Sequence, residues 1–378
     1  MILPFLLIVL FGWLQRDLFS ENQRLQRLKS ARSEVARASR YNPKQEARAL
    51  VRNGTKLSAE EVKRLEGRAA EDTLSAGGRA RLIGYYGGAR RRHGEESLAH
   101  ARHVLWFIEN QPESLVLKDH TARLEPRTAL PAYIRAKELW LKLLEESPEN
   151  LLLKANAAEM FQFGDSELSI KILKDAEELD PENGEWARKI GYVHGLGKAG
   201  LSRAKMIEKA RLSFEAYERS MPLLPLTKKQ AVISHLVDLA YTIGDKTSAR
   251  QYAAELLEGD QGTDRTRPSF GLGGHSHVAE TVLGLLALDE GDVSSAKNHL
   301  IASVTFPKRE RNPRLPAFPF YISQFDFRLA LRLLEKGERE VVRMFVEEGR
   351  PYLGHRAKYV PEWLESLENG FVPNFEGL

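Results

Sequence analysis

The chain has 378 residues, is 42% hydrophobic and 29% charged, carries a formal net charge of +4, and contains no cysteine. This is the composition of an ordinary folded protein, neither disordered nor membrane-embedded throughout. The missing thiols exclude disulfides, thiolate metal sites and cysteine nucleophiles. The charge is uneven. Residues 1–103 hold 20 Lys and Arg against 11 Asp and Glu, and the remainder holds 36 against 41. A basic N-terminal third therefore precedes a mildly acidic body, and it admits nucleic acid or anionic membrane as a contact beside the simpler reading of a solvated helix face.

Ile2 to Leu14 is an apolar run interrupted by Pro4 and Gly12. As a helix it would reach about 20 Å, against about 30 Å of bilayer hydrocarbon. That length fits a signal-peptide core, although no basic residue precedes it and no small-residue cleavage site follows. Arg16, Arg24, Arg27 and Lys29 lie on its C-terminal side, which would keep the body cytoplasmic behind an anchor. Residues 1–15 are read as a signal- or anchor-like segment giving membrane or envelope association; the alternatives are a buried apolar helix and a cytoplasmic protein. Residues 16–57 read as a basic, Arg-rich helical segment broken at Asn42-Pro43-Lys44.

From Ser58 the pattern changes. Ser58 and Glu61 form a capping box that opens a helix through Arg68 with Val62 and Leu65 on one side. Further helices are expected over Ala80–Tyr86 and Glu95–Asn110. Residues 58–125 are read as N-terminal helical hairpins, and the proline-bearing connection from Gln111 to Pro131 as the candidate boundary. Beyond it, apolar residues recur with a period of 3.6, which argues for helices and against strands.

A glycine followed by an acid recurs in this region: Gly164-Asp165, Gly244-Asp245, Gly291-Asp292 and Gly337-Glu338. Five residues after each glycine stand Ser169, Ala249, Ala296 and Val342; seven before stand Ala157, Val237, Gly284 and Ala330. Helix, glycine turn and a second helix meeting the first through small side chains make one helical hairpin. Ser147-Pro148-Glu149-Asn150 and Asp180-Pro181-Glu182-Asn183 are near copies 33 residues apart, and proline there suits a loop between hairpins.

Residues 150–183, with Leu153, Ala157, Met160, Gly164, Leu173, Ala176 and Pro181, resemble the tetratricopeptide repeat. Later stretches follow with Ile190, Ala210, Leu236, Ala249, Leu283, Ala296, Ala330 and Val342. The chain over about residues 58–375 is also similar to a bacterial group of tetratricopeptide-like proteins of undefined activity. The similar stretches are Val104 to Pro112, His277 to Asp292 and Leu333 to Val342. This resemblance implies an all-α protein, an α-solenoid of about six degenerate hairpins occupying residues 126–378, and a concave face that binds a partner protein. By register that face takes Lys154, Ala158 and Phe161, then Ser234, Asp238 and Tyr241, then Thr281, Leu285 and Leu288. Lys154, Phe161, Asp238 and Tyr241 are the expected partner-binding residues. The paired Lys and Asn that clamp a C-terminal carboxylate in some family members are not matched, since Ala158 stands where the Asn would be.

Other motifs carry less. Gly195 to Gly200 fits G-x-G-x-x-G, but a helix precedes it where a dinucleotide site needs a strand, so it is read as a turn. His275, His277 and Glu280 suggest a metal cluster with no accompanying ligands, and are read as helix-entry residues. The irregular stretches Glu258–Gly274 and Thr305–Ser323 are long enough to be functional or to fold back as plugs. No catalytic, cofactor-binding or metal-ligating residue and no small-molecule substrate are expected.

Overall fold

The computed structural model describes residues 43–88, 94–197, 200–262, 272–305 and 325–375. Among these residues there are sixteen α-helices and no strand, so the all-α expectation holds. The helices fall into two compact units that divide at Pro148/Glu149.

The first unit contains α1 (Pro43–Gly54), α2 (Ala59–Ala70), α3 (Ala76–Tyr86), α4 (Gly94–Asn110) and α5 (Pro126–Glu146). Pro43 begins α1 instead of only ending what precedes it, because a proline at the first helical position forfeits no hydrogen bond. The Ser58/Glu61 capping box is present as expected: the Ser58 N–H donates to Glu61 Oε2 (2.9 Å) and the Glu61 N–H to Ser58 Oγ (3.2 Å). Val62 and Leu65 are buried, in one cluster with Leu57, Leu74 and Leu82. α1 crosses α3 at two glycines. A methyl group on Gly54 would collide with the Arg81 carbonyl, and one on Gly84 with the Val51 carbonyl. The connection after α4 is two short 3-10 turns, Leu115–Lys118 and His120–Ala122, held to α4 where the His100 ring meets the Thr121 carbonyl (2.6 Å). α5 carries Pro131 and is kinked at Ala129.

The second unit contains α6 (Leu151–Phe161), α7 (Ser166–Leu179), α8 (Glu185–His194), α9 (Arg203–Ser220), α10 (Leu226–Ile243) and α11 (Lys246–Gly262). It continues with α12 (Leu272–Asp289), α13 (Val293–Ala302), α14 (Arg328–Glu335), α15 (Arg339–Gly349) and α16 (Val360–Glu368). Each helix packs on the next, and α12 also packs on both α10 and α14.

The recurring glycine–acid pair has a physical explanation here. Gly244, Gly291 and Gly337 adopt φ of +82°, +85° and +83°, the left-handed conformation that closes a helix. The next amide then reaches back to an orphan carbonyl: Asp245 N–H to Ala240 O (2.9 Å), Asp292 N–H to Ala287 O (2.9 Å), Glu338 N–H to Leu333 O (3.0 Å). The acid then opens the following helix, Asp245 accepting from the Ser248 N–H and Asp292 from the Ser295 N–H, which satisfies a free donor. These serine bonds hold both carboxyls below their usual range. The same closure appears at Asp72, with Thr73 N–H on Arg68 O, and at Gly370, with Phe371 N–H on Ser366 O. Gly164 differs, because its φ is not positive. All seven non-glycine residues flanking the four turns at the fixed spacing are fully buried.

Replacing Gly244, Gly291 or Gly337 with Ala forces a Cβ into the left-handed region. Each should cost about 1–2 kcal/mol, read as a lowered urea midpoint; Gly164→Ala should lower it less.

The two proline loops also match. Ser147 and Asp180 share the same backbone conformation, and Asn150 and Asn183 each accept an amide of the helix that follows.

Residues 1–15 lie outside the described residues, as do most of the segment 16–57 and the cores of the two irregular stretches. The expectation of membrane or envelope association is corrected: among the described residues no helix is long and apolar enough to cross a membrane. The Ile2–Leu14 run is itself shorter than a span, and that reading rests on its apolar character and the cations that follow it.

Candidate partner-binding face

The four residues expected to meet a partner have different fates. Lys154 and Phe161 lie on α6, where every residue from Leu153 to Phe161 except Glu159 is buried. Phe161 has no exposed surface, and Lys154, 6% exposed, points its Nζ to within 4.0 Å of Asp175. Both are corrected to interior positions. The register argument assumes one solvated stripe, and the sequence of α6 has no polar stripe to leave in water. Ala158, Thr281, Leu285 and Leu288 are buried as well.

Asp238 and Tyr241, one turn apart on α10, are half-buried and engaged by a helix that does not follow α10 in sequence. Arg328, at the start of α14, donates through Nη2 to Asp238 (2.5 Å) and through Nε and Nη2 to Asp326 (2.9 and 2.6 Å). Arg332, one turn further on, donates through Nη1 to Asp289 at the end of α12 (2.6 Å) and to the Tyr241 hydroxyl (3.3 Å). Three carboxylates and a phenol thus surround two guanidinium groups. The Tyr241 ring packs against both apolar clusters of this unit, so only its hydroxyl belongs to the face.

The electrostatics follow from this placement. Burial works against the Arg328 charge, but the bonds and charges of Asp326 and Asp238 outweigh it and raise its pKa. Asp326 is pushed up by burial and, more strongly, held down by Arg328. The bond from Asp289 raises Arg332, while burial, then the Asp289 charge, raises Tyr241. Arg328, Arg332 and Asp326 are thereby all held in their charged forms.

His277 positions the start of this network from beneath. It is fully buried on α12, where Nδ1 meets the Ser303 carbonyl (3.1 Å) and Nε2 accepts the Asp326 N–H (2.9 Å). An acceptor at Nε2 and a donor at Nδ1 fix the neutral ring, and burial depresses its pKa. Phe325 packs on it at a tilt, ring centres 4.6 Å apart. Its two nitrogens are thereby occupied, Glu280 binds His299 instead (2.7 Å), and no group of three or more metal-binding side chains occurs among the described residues.

Further ion pairs join neighbouring helix pairs: Glu159 of α6 to Lys189 of α8 (3.8 Å), and Glu185 of α8 to Lys228 of α10 (2.8 Å). On the second helix of each pair, Glu177 of α7 meets Arg219 of α9 (3.4 Å), and Lys297 of α13 meets Glu338 ahead of α15 (3.0 Å). Arg328 and Arg332 of α14 likewise meet acids on the earlier helices α10 and α12, whereas in the Lys297 pair the acid is on the later side. Gly195 to Gly200 follows α8, with Gly197 and Gly200 at positive φ, so a helix and a turn stand where a dinucleotide site needs a strand.

No local signal points to Arg328, Arg332 or Asp289, because their meeting with α10 and α12 spans 90 and 43 positions. Comparison with protein-family models, curated proteins and solved structures found no match.

Proposed function

We propose that this chain is a non-enzymatic protein-interaction scaffold, a tetratricopeptide-like α-solenoid of about six degenerate hairpins that holds a segment of a partner protein against the first helices of its pairs. The observation that carries the reading is the repeated unit: a helix closed by a left-handed glycine, an acid opening the next helix, and buried small residues at fixed distances on both sides. Units that cannot bury their apolar face alone gain a continuous core by stacking, which leaves one long surface for binding. Asp238, Tyr241, Asp289, Arg328 and Arg332 supply that surface with half-exposed charge and an aromatic hydroxyl. No small-molecule cofactor enters this function.

A photo-crosslinking residue placed at Ser234 on α10 or at exposed Glu335 on α14 should capture one specific protein from native extract. The same residue at exposed Ala254 on α11 should not. Capture from Ala254 alone, or from none of the three, would remove the assignment.

A further inference from the structure

The face around Tyr241 is already occupied by its own chain. Arg328 and Arg332 lie one turn apart on α14, yet their partners are Asp238 and Tyr241 on α10, Asp289 on α12, and Asp326 just ahead of α14. With both guanidinium groups removed, the three carboxylates that bind them, Asp238, Asp289 and Asp326, would lose these partners. Like charges gathered on a partly desolvated surface repel one another, so whatever displaces the arginines must itself bring positive charge.

The arginines are free to leave while the helix is not. Their side chains are 42% and 35% exposed, so each head can turn toward water once its ion pairs break. α14 itself is anchored by fully buried Leu329, Ala330 and Leu333, and the segment before it by the His277–Asp326 bond. Motion is confined to two side chains.

From this we infer that Arg328 and Arg332 stand in for basic residues of the bound partner: the resting face is self-occupied, and the segment it takes carries two Lys or Arg about one helical turn apart. The inference rests on the scaffold reading and adds to it the chemistry of the partner. Tethered groups compete at an effective concentration in the millimolar range, so their loss unmasks the site.

The test uses the full-length protein and fluorescence anisotropy with a labelled helical peptide bearing two arginines one turn apart. A peptide with the same arginines two residues apart is the control. R328Q/R332Q should bind the first peptide at least about 10-fold more tightly than wild type. Adding D238N/D289N should abolish the gain. Equal affinity of wild type and R328Q/R332Q, or equal binding of both peptides, overturns the inference. If R328Q/R332Q loses its cooperative melt, R332Q alone is read in the same way, because it leaves the Arg328 bonds to Asp326 and Asp238 in place. The peptide result does not depend on a natural partner. A failed crosslink from Ser234 and Glu335 therefore counts against the scaffold reading alone, and a captured partner with an unchanged peptide affinity counts against the stand-in alone.

Discussion

Gly84→Ala should disrupt the N-terminal unit more than any other single methyl group added to it. The new Cβ would lie inside the van der Waals radius of the Val51 carbonyl oxygen and crowd the Val51 backbone. Backbone cannot change rotamer to make room, so α1 must lift away from α3 and expose Val51 and Ala47, both buried now. Overpacking in a core costs about 1–3 kcal/mol when side chains yield, and with backbone as the obstacle the cost should exceed about 3 kcal/mol. Gly54→Ala should do the same from the other helix, against the Arg81 carbonyl. Two controls separate this from a general glycine effect. Gly78→Ala would press only on the Leu74 side chain, and Gly67→Ala would meet nothing within 4 Å, so the latter should stabilise α2 by up to about 1 kcal/mol. Hydrogen exchange on the full chain should show lost protection over α1 and α3 in Gly84→Ala. Unchanged protection there would refute the close crossing.

His277→Leu should have the second largest effect, and its size should depend on pH. Leucine fills the space but strands the Ser303 carbonyl and the Asp326 N–H, at about 1–3 kcal/mol for each buried group left unsatisfied. The pH dependence has a definite sign. The folded pKa of His277 lies below the ordinary value of 6.5, so the unfolded chain binds the proton more readily. The stabilisation is full above roughly pH 6.5 and is lost as pH falls toward the folded value. The groups facing the ring are the Asp326 carboxylate, which favours its proton, and Arg328, which opposes it. The difference in unfolding free energy between wild type and His277→Leu should therefore shrink steadily from pH 7 to pH 5. His194, depressed to about 4 by burial and by Lys174, Lys209 and Arg219, titrates in both proteins and cancels in the comparison. A difference that stays constant over that range would mean that the ring is not held neutral.

The local parts of this structure were legible because their causes are local. Ser58 and Glu61 satisfy each other's amides within one turn, so the motif predicts its own geometry. Glycine followed by aspartate reads as a helix end and a helix start, since one residue supplies the left-handed φ and the other the capping oxygen. α1 falls within the segment read as Arg-rich helix, but its start at Pro43 reads as a break, because its twelve residues are largely polar and owe their helix to burial of Ala47 and Val51 against α3. The use of Gly54 and Gly84 lies in a crossing between segments thirty positions apart, which no local pattern announces. On the candidate face, the sequence placed Asp238 and Tyr241 on α10 correctly but put Lys154 and Phe161 on a surface that α6 does not have. The arginines escaped notice altogether: nothing near Arg328 in the sequence hints at Asp238.

The row of ion pairs between helix pairs has a mechanical consequence. Where one helix pair of the second unit meets the next, ion pairs lie beside the apolar packing, as in Glu159–Lys189, Glu177–Arg219, Glu185–Lys228 and Lys297–Glu338. The apolar contact acts over short range and is indifferent to added salt, whereas the tether weakens as the Debye length contracts. A single exposed pair contributes little to folding, up to about 1 kcal/mol, yet it ties one helix pair to the next. Ionic strength should therefore act on the stiffness of the array far more than on its melting. In dilute salt these joints should be braced more firmly than in concentrated salt.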